Sequence, residues 1–132
     1  MSAISTHVLD TARGEPVDGV VVRLELVAAT GECGRNQAAE VGRGVTDADG
    51  RISDFGVASL PAGTYRLVFE TGAYLSSRGA ENEVRGAQNE DRGAERPFFP
   101  EVVVTFQTDG QRPKYHIPLL LGVYSYTTYR GS

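Results

Sequence analysis

Two histidines, His7 and His116, are the only side chains in this 132-residue sequence whose ordinary titration range falls near neutral pH, and they lie towards opposite ends. Each sits in a strand-like run: Ser5-Thr6-His7-Val8-Leu9-Asp10 near the start, and Lys114-Tyr115-His116-Ile117-Pro118-Leu119-Leu120-Leu121 near the end. A chain that places its whole stock of near-neutral groups in two such runs is suited to general acid–base chemistry. A third candidate, Arg51, directly follows the tight turn Asp47-Ala48-Asp49-Gly50, which fixes its backbone and projects the guanidinium from a rigid corner. The sequence closes on Tyr129-Arg130-Gly131-Ser132. Taken singly, each of these has a plainer interpretation, since strand histidines are commonly structural and a turn arginine is commonly a solvated rim residue.

Other chemistries fit poorly. Ser5, His7 and Asp10 make a hydrolytic triad only on paper, because strand neighbours at that spacing supply no nucleophile elbow. The Asp47–Gly50 turn lacks the twelve-residue calcium loop and its terminal glutamate, and two distant histidines with the lone Cys33 form no zinc set, so no metal is expected. The glycines are dispersed rather than gathered into a phosphate cradle.

The elements that must position these residues are strands. Period-2 alternation separated by turn residues recurs near 4–10, 19–27, 37–46, 51–54, 64–70, 101–107, 114–121 and 124–130, which predicts an eight-stranded all-β sandwich. His7 shares a strand face with Ser5 and Leu9, and His116 shares one with Lys114, Pro118 and Leu120. Pro118 cannot donate to a ladder, so its run is expected to be an edge, a bulge or an interface strand. The Thr71–Leu75 stretch is expected to hold one short turn of helix.

One stretch breaks the pattern. Between Ser76 and Arg96 the sequence repeats Arg-Gly-Ala every seven residues, with nine charged residues in twenty-one. A glycine in every heptad and a single sizeable apolar residue, Val84, preclude a coiled-coil seam. The composition predicts a mobile, solvated insertion at 76–96 within a single domain spanning 1–132.

A net charge of −4 gives no electrostatic footprint for nucleic acid or an anionic membrane. The opening residues carry neither a basic segment nor an apolar stretch of signal-peptide length, so a cytoplasmic protein is expected. With one cysteine, the fold must rest on burial and ladder bonds.

Taken together, the His7 and His116 runs, the Tyr129–Ser132 ending, and Asp49-Gly50-Arg51-Ile52, Tyr65-Arg66-Leu67-Val68-Phe69, Thr71-Gly72-Ala73-Tyr74 and Phe98-Phe99-Pro100-Glu101 resemble the 5-hydroxyisourate hydrolases of the transthyretin-like family. The resemblance covers 1–75 and 97–132 and leaves the insertion unmatched. It implies a transthyretin-like (prealbumin-like) sandwich with one short helix, assembled as a homotetramer, a dimer of dimers with active sites at the dimer–dimer interface. It implies hydrolysis of 5-hydroxyisourate to 2-oxo-4-hydroxy-4-carboxy-5-ureidoimidazoline in urate degradation, with no cofactor. The catalytic residues it implies are His7, Arg51, His116 and Ser132, with His7, Arg51, Tyr129, Arg130 and Gly131 binding substrate. One histidine would activate water and the other would orient water or protonate the leaving nitrogen; which does which stays open. The competing reading is a transthyretin-like carrier of a small aromatic ligand, against which His7, Arg51 and His116 together argue.

Overall fold

A computed structural model of the chain describes residues 3–29, 39–76 and 97–131. The expected insertion lies, apart from Ser76, outside the described residues, as do Cys33 and Ser132.

The first strand, β1 (Ile4–Asp10), alternates without a fault: Ile4, Thr6, Val8 and Asp10 are buried, while Ser5, His7 and Leu9 lie on the opposite, partly exposed face. The chain then turns at 11–14, where Asp10 Oδ1 accepts the amides of Ala12 and Arg13 at 2.9 and 3.0 Å, and returns as β2 (Glu15–Pro16). β3 (Val21–Ala29) pairs with β4 (Ala39–Val45) on one side and β6 (Gly63–Phe69) on the other, and β6 pairs in turn with β7 (Val102–Thr108), all antiparallel. These four strands form one sheet in the order β4-β3-β6-β7.

The second sheet is built around β1. One edge of β1 carries β2 and the two-residue β5 (Arg51–Ile52); the other carries, in parallel register, β8 (Tyr115–His116) and β9 (Leu119–Leu121). β10 (Tyr126–Thr128) closes that sheet against β9. Between β6 and β7 a short helix, α1, covers 72–76. Tyr74 on α1 donates to Asp10 Oδ2 at 2.5 Å, which ties the helix to the end of β1. No helix among the described residues is long and apolar enough to cross a membrane.

The architecture is the expected all-β sandwich with one short helix, and the differences lie in strand boundaries. The single run expected over 114–121 is cut into β8 and β9 at Ile117-Pro118, where proline has no amide to give. The β2 return is too short to show a period, and the Asp10 cap that produces it has no alternation signal. With these changes ten strand segments stand among the described residues where eight runs were expected.

Val22, Leu24, Leu67 and Phe69 from the four-stranded sheet meet Ile4, Val8, Leu119 and Leu121 from the other in one core. Glycines bring β4 against that core closely. A Cβ on Gly42 would stand 2.7 Å from the Phe55 carbonyl oxygen and 2.9 Å from Val57 Cγ2, and one on Gly44 would stand 2.7 Å from Ile52 Cγ2. The 52–57 segment that follows Arg51 is therefore seated directly on the backbone of β4. Gly42→Ala is expected to cost about 1–3 kcal/mol through overpacking, read as a lowered urea midpoint with unchanged slope. A midpoint equal to that of the unsubstituted protein would show that β4 and the 52–57 segment are not in this contact.

Candidate active site

Strand parity places three expected residues on one side of the six-stranded sheet. On β1 the outward residues are Ser5, His7 and Leu9. Arg51 on β5 stands directly opposite His7 in the antiparallel register, and His116 on β8 stands opposite Ser5 in the parallel one. Because partners in register share a face, all of these side chains emerge from the same surface. Gly131 joins them from the far end of the chain through an antiparallel bridge to His116, its amide donating to the His116 carbonyl at 2.7 Å.

The turn before Arg51 is as rigid as its sequence predicts. Asp47 Oδ1 accepts the amides of Asp49 and Arg51 at 2.8 and 3.0 Å, while the Gly50 amide donates to the Asp47 carbonyl at 2.8 Å. Those amides, Arg51's first, hold the Asp47 carboxyl below its ordinary range. Gly50 has φ 76° and lies so close to β1 that a Cβ would approach the Val8 carbonyl oxygen to 2.5 Å, which leaves no other residue at that corner. The same turn holds His7: its Nε2 lies 2.9 Å from the Asp49 carbonyl oxygen. A carbonyl only accepts, so Nε2 carries the proton and the lone pair of the neutral ring sits on Nδ1.

His116 is held differently. Its Nδ1 lies 2.8 Å from Ser5 Oγ, and the ring is half-buried. Burial pushes its pKa below the ordinary value, and the charges of His7, Arg51 and Lys114 push it further in that direction, against a smaller upward pull from the Ser5 backbone.

In front of these residues lies a cleft of about 430 Å³. Its cationic walls are Arg51, Arg112 and Lys114; Ser5, Ser53, His116 and Gly131 add polar groups and a close backbone, and no carboxylate among the described residues lines it. Such a lining suits a small, oxygen-rich, anionic ligand beside a neutral imidazole. His7 stands on the same face next to Arg51 but is not part of the cleft wall.

Other expected site residues are placed elsewhere. Tyr129 and Arg130 line a separate cavity of about 220 Å³, walled mainly by Val104, Phe106, Tyr115 and Ile117, and Tyr129 is 56% exposed. Ser132 lies outside the described residues. Ser5, Ser53, Arg112 and Lys114 were not among the expected site residues. Ser5 and Lys114 did have a signal, since each lies two residues from a histidine within the alternating run expected from the sequence and so shares that histidine's expected face. Arg112 and Ser53 had none, because only the tertiary fold brings their loops to the cleft.

Residues 4–131 match the family model described as the HIUase/Transthyretin family. The chain is 38% identical over 132 residues to a 5-hydroxyisourate hydrolase of Mus musculus, covering 99% of this chain and 96% of that one. Among solved structures, a Klebsiella pneumoniae 5-hydroxyisourate hydrolase is similar with a TM-score of 0.71 at 33% identity, covering 99% of this chain and all of that one. A transthyretin from Sparus aurata is similar with a TM-score of 0.76 at 27% identity, covering 99% and 97%.

The electrostatics of His116 lead to a measurable outcome. A histidine whose folded pKa lies below its unfolded value binds fewer protons than the unfolded chain between the two values, so the stability it contributes is present above the unfolded value and falls away as pH drops through that window. In an NMR titration the His116 ring is expected to titrate below about 6.5. Arg51→Gln, which removes one of the depressing charges, is expected to move that midpoint upward. A midpoint at or above the ordinary value, or one indifferent to Arg51, would contradict this account of the site.

Proposed function

The chain belongs to the HIUase/Transthyretin family, and from that premise we propose that it hydrolyses 5-hydroxyisourate in urate degradation, with the cleft beside His116 as its active site. The observation that carries the site is the convergence of His7, Arg51 and His116 from three strands onto one face. The reaction opens a cyclic amide with water. The water oxygen bonds to the ring carbonyl carbon, the carbon–nitrogen bond breaks, and the proton taken from water is returned to the leaving nitrogen. It needs no cofactor.

In our reading His116 is the general base. The burial and positive neighbours that lower its pKa keep its lone pair available at neutral pH. Arg51, presented by a rigid corner, binds the substrate's oxygens and stabilises the oxyanion formed as water attacks. His7 directs its Nε2 proton to Asp49 and so offers Nδ1 for orienting water or relaying a proton to the leaving nitrogen. Ser132 is kept among the catalytic residues on the resemblance alone. Tyr129 and Arg130 line the neighbouring cavity and lead the chain into Gly131, which bridges to His116; they are kept as substrate contacts on the resemblance alone.

The carrier reading draws on the same fold, and both the hydrolase and the transthyretin structures resemble this chain closely. The cationic, imidazole-bearing wall of the cleft favours turnover over the holding of an apolar aromatic ligand.

We further propose a homotetramer. β7 and β10 are terminal strands of their sheets and line one cavity together, and nearby Phe98 (65% exposed) packs edge to face with Phe99 and with Tyr124 (77% exposed), as Phe99 does with Tyr126. Open strand edges flanked by exposed aromatics are suited to pairing with another copy. With a single cysteine, Cys33, the fold draws nothing from internal disulfides, which suits the cytoplasmic location we propose.

The decisive assay generates 5-hydroxyisourate with urate oxidase and follows its ultraviolet decay with and without the protein. Acceleration is expected, and His7→Ala, Arg51→Ala and His116→Ala should each lower it by about a hundredfold or more. No acceleration over spontaneous decay would sink the enzyme and promote the carrier. Sedimentation equilibrium is expected to give four copies, with Tyr124→Glu shifting the distribution to smaller species; a monomer at micromolar concentration would refute the tetramer.

A further inference from the structure

The His116 ring is gripped on two sides, by Ser5 and by Gly131. On one side Ser5 Oγ lies 2.8 Å from Nδ1 and makes no other hydrogen bond among the described residues. On the other, the Gly131 backbone lies against the Cδ2 edge: a Cβ there would stand 2.7 Å from Cδ2 and 3.4 Å from Cγ. An imidazole with Nδ1 occupied and Cδ2 covered has only its Cε1–Nε2 edge left free.

We propose that Ser5 and Gly131 are positioning residues that clamp His116, Ser5 holding the proton on Nδ1 and Gly131 fixing the ring plane, so that Nε2 meets the cleft with its lone pair. This rests on the reading of His116 as general base.

The backbone makes the clamp stiff. Ser5 and His116 are register partners, the Ile117 amide donates to the Ser5 carbonyl at 3.0 Å, and the Tyr115 amide donates to the Ala3 carbonyl at 2.9 Å. Thr6 Oγ1 adds a buried hydrogen bond to the Ile117 carbonyl at 2.5 Å. The strand that carries the ring thus cannot slide relative to the strand that carries the hydroxyl. A serine hydroxyl could donate to Nδ1 or accept from it. Nε2 is the ring nitrogen left to face the cleft, so a ring that serves as base there keeps its neutral proton on Nδ1, where Ser5 Oγ accepts it. The two histidines then present opposite nitrogens, Nδ1 from His7 and Nε2 from His116. Gly131 also acquires a requirement that substrate binding alone would not impose, since any side chain there would push the ring out of plane.

The test reads tautomer and turnover separately. In 15N NMR at a pH above the ring's titration, wild-type His116 is expected to carry its proton on Nδ1; a ring protonated on Nε2 overturns the proposal without any variant. Ser5→Ala is expected to erode that preference and to lower kcat by about tenfold to a hundredfold with KM nearly unchanged, while Ser5→Thr restores both. Gly131→Ala should lower kcat with the tautomer preserved. A Ser5→Ala protein with an unchanged tautomer overturns the clamp whatever its turnover. A changed tautomer with unchanged turnover keeps the clamp and removes His116 as the base, which separates the failure of the two readings.

Discussion

Strand β1 is the member on which everything else hangs, because both of its edges and both of its faces are in use. Inward, Ile4, Thr6, Val8 and Asp10 are fully buried; outward, Ser5 and His7 share the face of the candidate site. One edge holds Arg51 opposite His7 and the other holds His116 opposite Ser5. A slip of one residue on either edge would send a charged or imidazole side chain into the core and bring out an apolar one, such as Ile52 or Ile117. The burial of those apolar neighbours, each about 1.5–3 kcal/mol if complete, is thus what sets the register of the chemistry. The site is located by hydrophobic packing on the reverse side of the same strands.

Much of this was legible in the sequence. Alternation along 4–10 assigned His7 to the face opposite Val8, and the Asp47–Gly50 turn announced Arg51 through the side-chain cap that the structure places there. Pro118 marked the interruption that separates β8 from β9, and Thr128 Oγ1, donating to the Pro118 carbonyl at 2.7 Å, shows how β10 supports the break. What could not be read were contacts between residues far apart in sequence. Nothing local in Ser5 foretells a bond to a residue 111 positions away. Nor does any local pattern separate Gly131, packed on His116, from Tyr129 and Arg130, which turn to a different cavity. The tail motif is one string in sequence and two environments in space.

Fold alone does not distinguish catalysis from carriage, since a hydrolase and a transthyretin share this sandwich. In the proposed mechanism the distinction lies in the side chains that the outward positions of β1, β5 and β8 present. Changing those residues leaves the inward, packing positions untouched, so the two functions can be written on one scaffold without competing for its core.

The cations that suit the cleft to an anion also govern its base. Burial first, and then the charges of His7, Arg51 and Lys114, make His116 harder to protonate, which in the proposed mechanism keeps the free imidazole populated at neutral pH but weakens its pull on the proton of water. Binding an anion offsets part of that field. As negative charge moves onto the substrate oxygen in the transition state, the cost of placing a proton on His116 falls, because the new charge lies among the same cations. In the proposed mechanism His116 is therefore weakest as a base when the cleft is empty and strongest as the oxyanion forms. Geometry that would disable a lone histidine thus becomes favourable once Arg51 and His116 act on the same reacting carbonyl.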